Sequence, residues 1–166
     1  MGKSEFEIER KFLIRMPELP ELEKLGEKSA IVQTYLKTEE GSARVRKRGT
    51  EGRWVYTHTE KKRLSDLRRI EREREVDEAE YQRLLQMADP RRRVICKDRY
   101  CVEYMGQLLE IDVFPFYTDR AFLEIELEDE GQPLHLPPWL EVIKEVTADR
   151  RYTNAALALE IPFDEI

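Results

Sequence analysis

From residue 6 to residue 14 apolar and polar side chains alternate, with Phe6, Ile8, Phe12 and Ile14 on one parity and Glu7, Glu9, Lys11 and Leu13 on the other. Successive side chains of a strand point to opposite faces, so this stretch predicts a strand over residues 5–14 with a charged face. The same two-residue spacing of charged or polar groups recurs at Arg44-Val45-Arg46, Thr57-His58-Thr59-Glu60-Lys61, Glu71-Arg72-Glu73, Lys97-Asp98-Arg99, Glu110-Ile111-Asp112 and Glu124-Ile125-Glu126. Strands are accordingly predicted over residues 31–37, 43–48, 53–61, 69–76, 94–103, 107–114 and 121–128, with a short last one over 142–146. Turns are marked at Glu40-Gly41, at residues 49–52 and at Met105-Gly106, and residues 62–68 read as a charged loop. Residues 17–27 read as a short helix or loop. Asp77 opens a helix running to residue 87, with its acids at the dipole-favoured end. Thr147 or Asp149 caps a final helix ending at residue 159. With about eight strands and short connections, an antiparallel sheet closed into a barrel is the expected way to hide its edges.

Charged residues make up 39 % of the chain and apolar residues 40 %, against roughly a quarter charged in ordinary domains. The apolar positions are periodic, so the excess charge belongs to a surface or a polar interior and not to disorder. At 166 residues the chain is expected to form one domain, residues 1–166. The net charge of −6 argues against nucleic acid and anionic membrane as partners, despite Arg68-Arg69 and the Arg91-Arg92-Arg93 run. Cys96 and Cys101 have neither zinc nor disulfide spacing, which suits a reducing compartment. No stretch is long and apolar enough for a membrane span, and a cytoplasmic location is expected. His58 and His135 cannot build a histidine metal site, and no glycine cradle for phosphate is present, so side chains must bind any phosphate.

Sign is segregated among the strands. Glu7/Glu9, Glu71/Glu73, Glu110/Asp112 and Glu124/Glu126 are hard oxygen pairs suited to Mg²⁺, Mn²⁺ or Ca²⁺. Lys11, Arg44, Arg46, Lys61, Lys97 and Arg99 are cations at matching parity. Inside one lumen they would repel each other unless facing carboxylates or an anionic ligand compensated them, and a triphosphate with about four to five negative charges fits. The alternative is an outer face laced with weak cross-strand salt bridges.

Several of these segments resemble one family. Glu7-x-Glu9-x-Lys11 within EIERKFLI is similar to the N-terminal signature of the CYTH superfamily, the triphosphate tunnel metalloenzymes. ARVR at 43–46, RIEREREV at 69–76, KDRY at 97–100, LEID, LEIELE and KEVTADRRYTNAALA at 144–158 follow in the family's order. The resemblance implies an α+β, mainly β fold: a closed eight-stranded antiparallel barrel, the triphosphate tunnel, with a few flanking helices and a C-terminal plug helix. It implies a divalent-metal-dependent hydrolase of the short prokaryotic type, an inorganic tripolyphosphatase releasing phosphate and pyrophosphate. Carried over by position, the metal ligands are Glu7, Glu9, Glu124 and Glu126, with Glu71, Glu73, Glu110 and Asp112 as second-site or water-orienting groups, and the ion is Mg²⁺ or Mn²⁺. Triphosphate would be held by Lys11, Arg44, Arg46, Lys61, Lys97, Arg99, Lys144 and Arg151, and Glu9, Glu73 and Lys11 are the catalytic candidates. Before Lys61 the run His58-Thr59-Glu60 is polar where many members are apolar, and parity with Thr57 and Thr59 turns Lys61 inward. The same scaffold leaves open a CYTH-type adenylate cyclase, a thiamine or nucleoside triphosphatase acting on thiamine triphosphate or ATP, and a non-catalytic polyphosphate- or nucleotide-binding module; a homodimer is also left open.

Overall fold

The structure, a computed structural model, describes residues 6–50 and 52–166. Glu5, at the head of the expected first strand, and Glu51, in the expected turn at 49–52, lie outside the described residues. In chain order the elements are β1 Phe6–Arg15, α1 Leu19–Leu25, β2 Glu27–Leu36, β3 Ser42–Thr50, β4 Arg53–Arg63, β5 Arg68–Val76, α2 Glu78–Leu85, β6 Ile95–Tyr104, β7 Gln107–Val113, β8 Arg120–Glu126 and β9 Val142–Glu145. A 3₁₀ turn, Arg150–Tyr152, and a one-turn helix, α3 Asn154–Leu157, follow.

The sheet order is β5-β4-β3-β2-β6-β7-β8-β1-β9, and a further β5–β1 pairing closes the first eight strands into a barrel. One edge of β1 is divided: Phe6–Ile8 pairs with β5 and Phe12–Ile14 with β9, while the other edge runs along β8. β1 is thus the seam, and its odd residues Glu7, Glu9, Lys11 and Leu13 face inward. β2 begins at Glu27, earlier than its apolar run suggests, because its polar residues pair with β6, Ser29 opposite Arg99.

Most of the apolar core lies outside the barrel wall. Phe12, Ile14, Tyr100, Val102, Leu109, Ile111, Leu123 and Ile125 pack under Leu22 of α1 and Leu140. Tyr81 of α2 covers Leu36, Val45 and Val76 on another side. Asp77 caps α2 as expected, accepting the Glu80 N–H at 2.7 Å. A third cluster, with Leu13, Tyr35, Ile95, Phe114, Phe122, Val146, Tyr152 and Leu157, plugs one end of the lumen. Each such side chain contributes about 1.5–3 kcal/mol on full burial.

The expected C-terminal helix is broken in two. Asp149 caps the 3₁₀ turn, and Thr153, extended at φ −67° and ψ 149°, interrupts it and caps α3. Thr147 caps nothing; its hydroxyl accepts the Lys11 backbone N–H at 3.0 Å. The break lets Tyr152 drop into the plug, and Arg92 and Arg93 fasten the segment by donating to the Ala155 and Ala158 carbonyls.

Candidate active site

The lumen above the plug is a cavity of about 900 Å³, floored by Tyr35, Val146 and Tyr152. Phe6, Val55 and Leu108, all exposed, line its wall. Between them stand the charged faces of the strands. Cross-strand register sets each neighbour: Glu9 opposite Glu126 and Lys11 opposite Glu124 on β1/β8, Lys61 opposite Glu71 on β4/β5, and Arg46 opposite Gln33 on β3/β2.

The cations fall into two kinds. Arg99 is saturated: it donates to Asp112 at 2.7 and 2.9 Å, to Glu110 at 2.8 Å and to Glu124 at 3.4 Å. Lys97 donates to Asp112 at 2.7 Å and to Asn154 at 3.3 Å. By contrast Arg44 and Arg46 are only 7 % and 9 % exposed, and among the described residues no ion pair reaches either. Arg46 donates to the neutral Gln33 Oε1 at 3.2 and 2.9 Å, and the buried Arg44 Nε has no hydrogen-bond partner. Burial first, then Arg44 and Arg99, pushes the Arg46 guanidinium well below its ordinary value. Lys11 is aimed by the Tyr152 carbonyl, to which it donates at 2.6 Å, and lies 3.5 Å from Glu124.

The carboxylates are gathered in pairs. Glu7 is raised by burial and by a hydrogen bond to Glu71. At Glu71 burial also raises, but the same bond, Lys61 and Arg44 outweigh it. Glu9 is raised by burial and then by Glu124. At Glu124 burial is outweighed by Lys11 and Arg99, which hold it at about 2. Lys61 stands 3.6 Å from Glu7 and Arg69 stands 3.1 Å from Glu9. Glu73 accepts from Thr59 Oγ1 at 3.0 Å. Among the described residues no set of three or more ligands is close enough to hold a metal by itself. Oxygen pairs still suit Mg²⁺, which is usually held by one or two carboxylates plus substrate phosphates and water.

Of the residues expected from sequence, Glu7, Glu9, Lys11, Arg44, Arg46, Lys61, Glu71, Glu73, Arg99, Glu110, Glu124 and Glu126 all line this one cavity. Lys97, Asp112, Lys144 and Arg151 do not. Lys97 and Asp112, 3 % and 1 % exposed, form an ion pair behind the wall, so Asp112 has no oxygen to offer a metal or water. Burial alone would raise Asp112, but Lys97 and Arg99 hold it far below the usual range. Arg151 is exposed and paired with Asp149 and Asp164 at 2.8 and 3.0 Å. Lys144 is exposed on β9, 5.5 Å from the Tyr152 ring. Outside the expected set, Arg48, Arg63, Arg69 and Arg72 also line the cavity, and Gln33 fixes Arg46. Arg69 shares the parity of the expected Glu71, whereas Gln33 is marked only by the register that sets it opposite Arg46.

No protein-family model matches the chain. It is 39 % identical over 164 residues to the inorganic triphosphatase of Nitrosomonas europaea, covering 94 % of this chain and 99 % of that protein. The chain belongs to the triphosphate tunnel, or CYTH, family. The crystal structure of the inorganic triphosphatase NE1496 matches with a TM-score of 0.58 at 33 % identity, covering 98 % of each chain. The PH1012 protein of Pyrococcus horikoshii, at 22 % identity and a TM-score of 0.56 over 75 % of this chain and 80 % of its own, shares the fold.

The tunnel of this CYTH chain makes its ligand-free stability depend on pH. Glu7, Glu9 and Glu110 are raised, burial being the first cause at each. The folded state therefore holds more protons than the unfolded one above pH 4.5, their ordinary value. Their contribution is full below that point and is lost as pH climbs through the folded values. The contribution of Glu124, held at about 2, is lost only on acidification below 4.5. Burial outweighs Asp112 at Lys97, which Asp112 shares with Arg99, and pushes it to about 7; that term favours folding as pH rises from 7 upward. Thermal midpoints in EDTA should accordingly fall from about pH 5 to about pH 7. A midpoint that rises across this interval would show that the acidic pairs are not held together in the ligand-free protein.

Proposed function

We propose that the chain is a divalent-metal-dependent hydrolase of inorganic tripolyphosphate, releasing phosphate and pyrophosphate, within one domain and in the reducing setting that unpaired Cys96 and Cys101 suit. One observation carries the reading: Arg44 and Arg46 are buried in the cavity wall with no carboxylate at ion-pair distance among the described residues. A buried guanidinium without an anion costs several kcal/mol, and a triphosphate supplies about four to five negative charges. Arg offers its fork to phosphate oxygens, and Lys11, fixed by the Tyr152 carbonyl, adds a point charge.

Glu7, Glu9, Glu124 and Glu126 would hold Mg²⁺ or Mn²⁺ together with phosphate oxygens. When bound, such an ion polarises the phosphoryl group and offsets its charge. Glu73, held by Thr59, orients the attacking water and takes its proton. The water oxygen bonds to the terminal phosphorus, the bond to the bridging oxygen breaks, and pyrophosphate leaves. Arg44, Arg46 and Lys11 neutralise the non-bridging oxygens while this happens.

A second reading, an organic triphosphate such as ATP or thiamine triphosphate, has the exposed apolar side chains Phe6, Val55 and Leu108 in its favour. Phosphate release from tripolyphosphate and ATP, side by side with Mg²⁺, Mn²⁺ or EDTA, separates the readings. Metal-dependent release from tripolyphosphate is the expected result. Release from ATP alone favours the organic substrate, and silence on both with no cyclic AMP formed leaves a binding module.

A further inference from the structure

Arg69 has no place in the mechanism above, yet it touches one of its central groups. It lies on β5 two residues before Glu71, so both face the cavity, and its Nη2 is 3.1 Å from Glu9 Oε1. Lys61 plays the same part for Glu7 at 3.6 Å. These contacts differ from those of Arg99 and Lys97, which are fastened by several hydrogen bonds to Asp112, Glu110, Glu124 and Asn154. Arg69 has one ion pair among the described residues, and its side chain, on the cavity wall, is 24 % exposed. It is held lightly at the carboxylate that a divalent ion would need.

We propose that Arg69, with Lys61 beside it, is a resident cation: it occupies the β1 carboxylates while no divalent ion is present and transfers to the triphosphate when one arrives. The inference rests on the hydrolase reading above. A guanidinium and a divalent ion cannot share Glu9 at close range without strong repulsion. The displaced guanidinium stays in the same cavity, where phosphate oxygens accept its fork geometry. The ion therefore frees a cation for the substrate, and the substrate provides for the cation the ion displaces. Each raises the affinity of the other, a positive coupling that must be reciprocal.

The test is a binding cycle on the full chain. Mn²⁺ affinity is read by electron paramagnetic resonance without substrate, and imidotriphosphate affinity by calorimetry with Mn²⁺ present, for the unaltered protein, Arg69→Gln and Arg69→Lys. Arg69→Gln is expected to bind Mn²⁺ about tenfold more tightly and imidotriphosphate about tenfold more weakly, with Arg69→Lys recovering part of both. Opposite signs are the signature, because an arginine serving only the fold would weaken both or neither. Unchanged Mn²⁺ affinity in Arg69→Gln, or two shifts of one sign, overturns the proposal. If the unaltered protein releases phosphate with metal while Arg69→Gln leaves Mn²⁺ affinity unchanged, only the resident cation is lost. If it neither releases phosphate nor binds Mn²⁺, the hydrolase reading falls with it.

Discussion

Replacing Arg46 by Met is expected to lower kcat/KM for tripolyphosphate by about 10²–10³-fold while the ligand-free protein melts no lower than before. Arg46 is 9 % exposed and has only the neutral Gln33 as a fixed partner. Arg44 and Arg99 add repulsion to its burial. It is therefore a charge that burial and its neighbours oppose, and Met fills much of its volume without that charge. Apolar replacement of buried ionic groups is often neutral or stabilising by about 1–4 kcal/mol. With triphosphate bound the balance inverts, because a desolvated charge pair with one partner truncated loses about 2–5 kcal/mol. Kinetics and thermal melts on the same preparations check both halves. A melting point that drops in step with activity would make Arg46 a structural residue, and full activity would remove it from the substrate site. Arg99→Met gives the contrast: with Asp112, Glu110 and Glu124 all within 3.4 Å, its loss strands buried carboxylates and should destabilise the fold itself.

That contrast marks how far the chain could be read by spacing. Parity placed Glu7, Glu9, Lys11, Arg44, Arg46, Lys61, Glu71, Glu73 and the β8 glutamates on inward faces, because the two-residue period survives whatever the strand pairs with. The barrel followed from the number of such strands. Spacing could not show which cations were already neutralised. Arg99 and Arg46 look alike in sequence, but register puts Arg99 opposite Asp112 and Arg46 opposite Gln33. Pairing across strands far apart in the chain decides that one is a strut and the other has a neutral amide where a carboxylate could stand. Lys144 and Arg151 lie outside the cavity for separate reasons: Lys144 is exposed on the edge strand β9, and Thr153 breaks the expected helix, so Tyr152 enters the plug while Arg151 stays outside with Asp149 and Asp164. Arg69 was legible by its parity with Glu71 but stood in an Arg-Arg pair that reads as loop charge.

Glu9→Gln should remove metal-dependent hydrolysis, by about 10³-fold or more, from a protein that remains folded. Gln keeps the shape of the side chain, so the packing of β1 against β8 is retained. It also removes a carboxylate that burial and Glu124 already raise, so the charge pairing lost is the ion pair with the partly exposed Arg69 and the longer-range attraction of Lys61. What it does lose is an anionic oxygen at the site proposed for the ion. Circular dichroism and a thermal melt establish the fold, and phosphate release across a range of Mn²⁺ concentrations reads the site. An active Glu9→Gln would end the assignment of the metal to β1. Asp112→Asn supplies the opposite case, since Asp112 is fully committed to Lys97 and Arg99 at 2.7 Å each. Its loss should strike stability first, about 3–5 kcal/mol for a buried pair broken on one side. Two acidic residues of the same parity pattern then differ by what faces them: Asp112 is needed to hold two cations in the wall, and Glu9 stays available because, among the described residues, its one ion pair is with a lightly held arginine and Lys61 acts on it from further off.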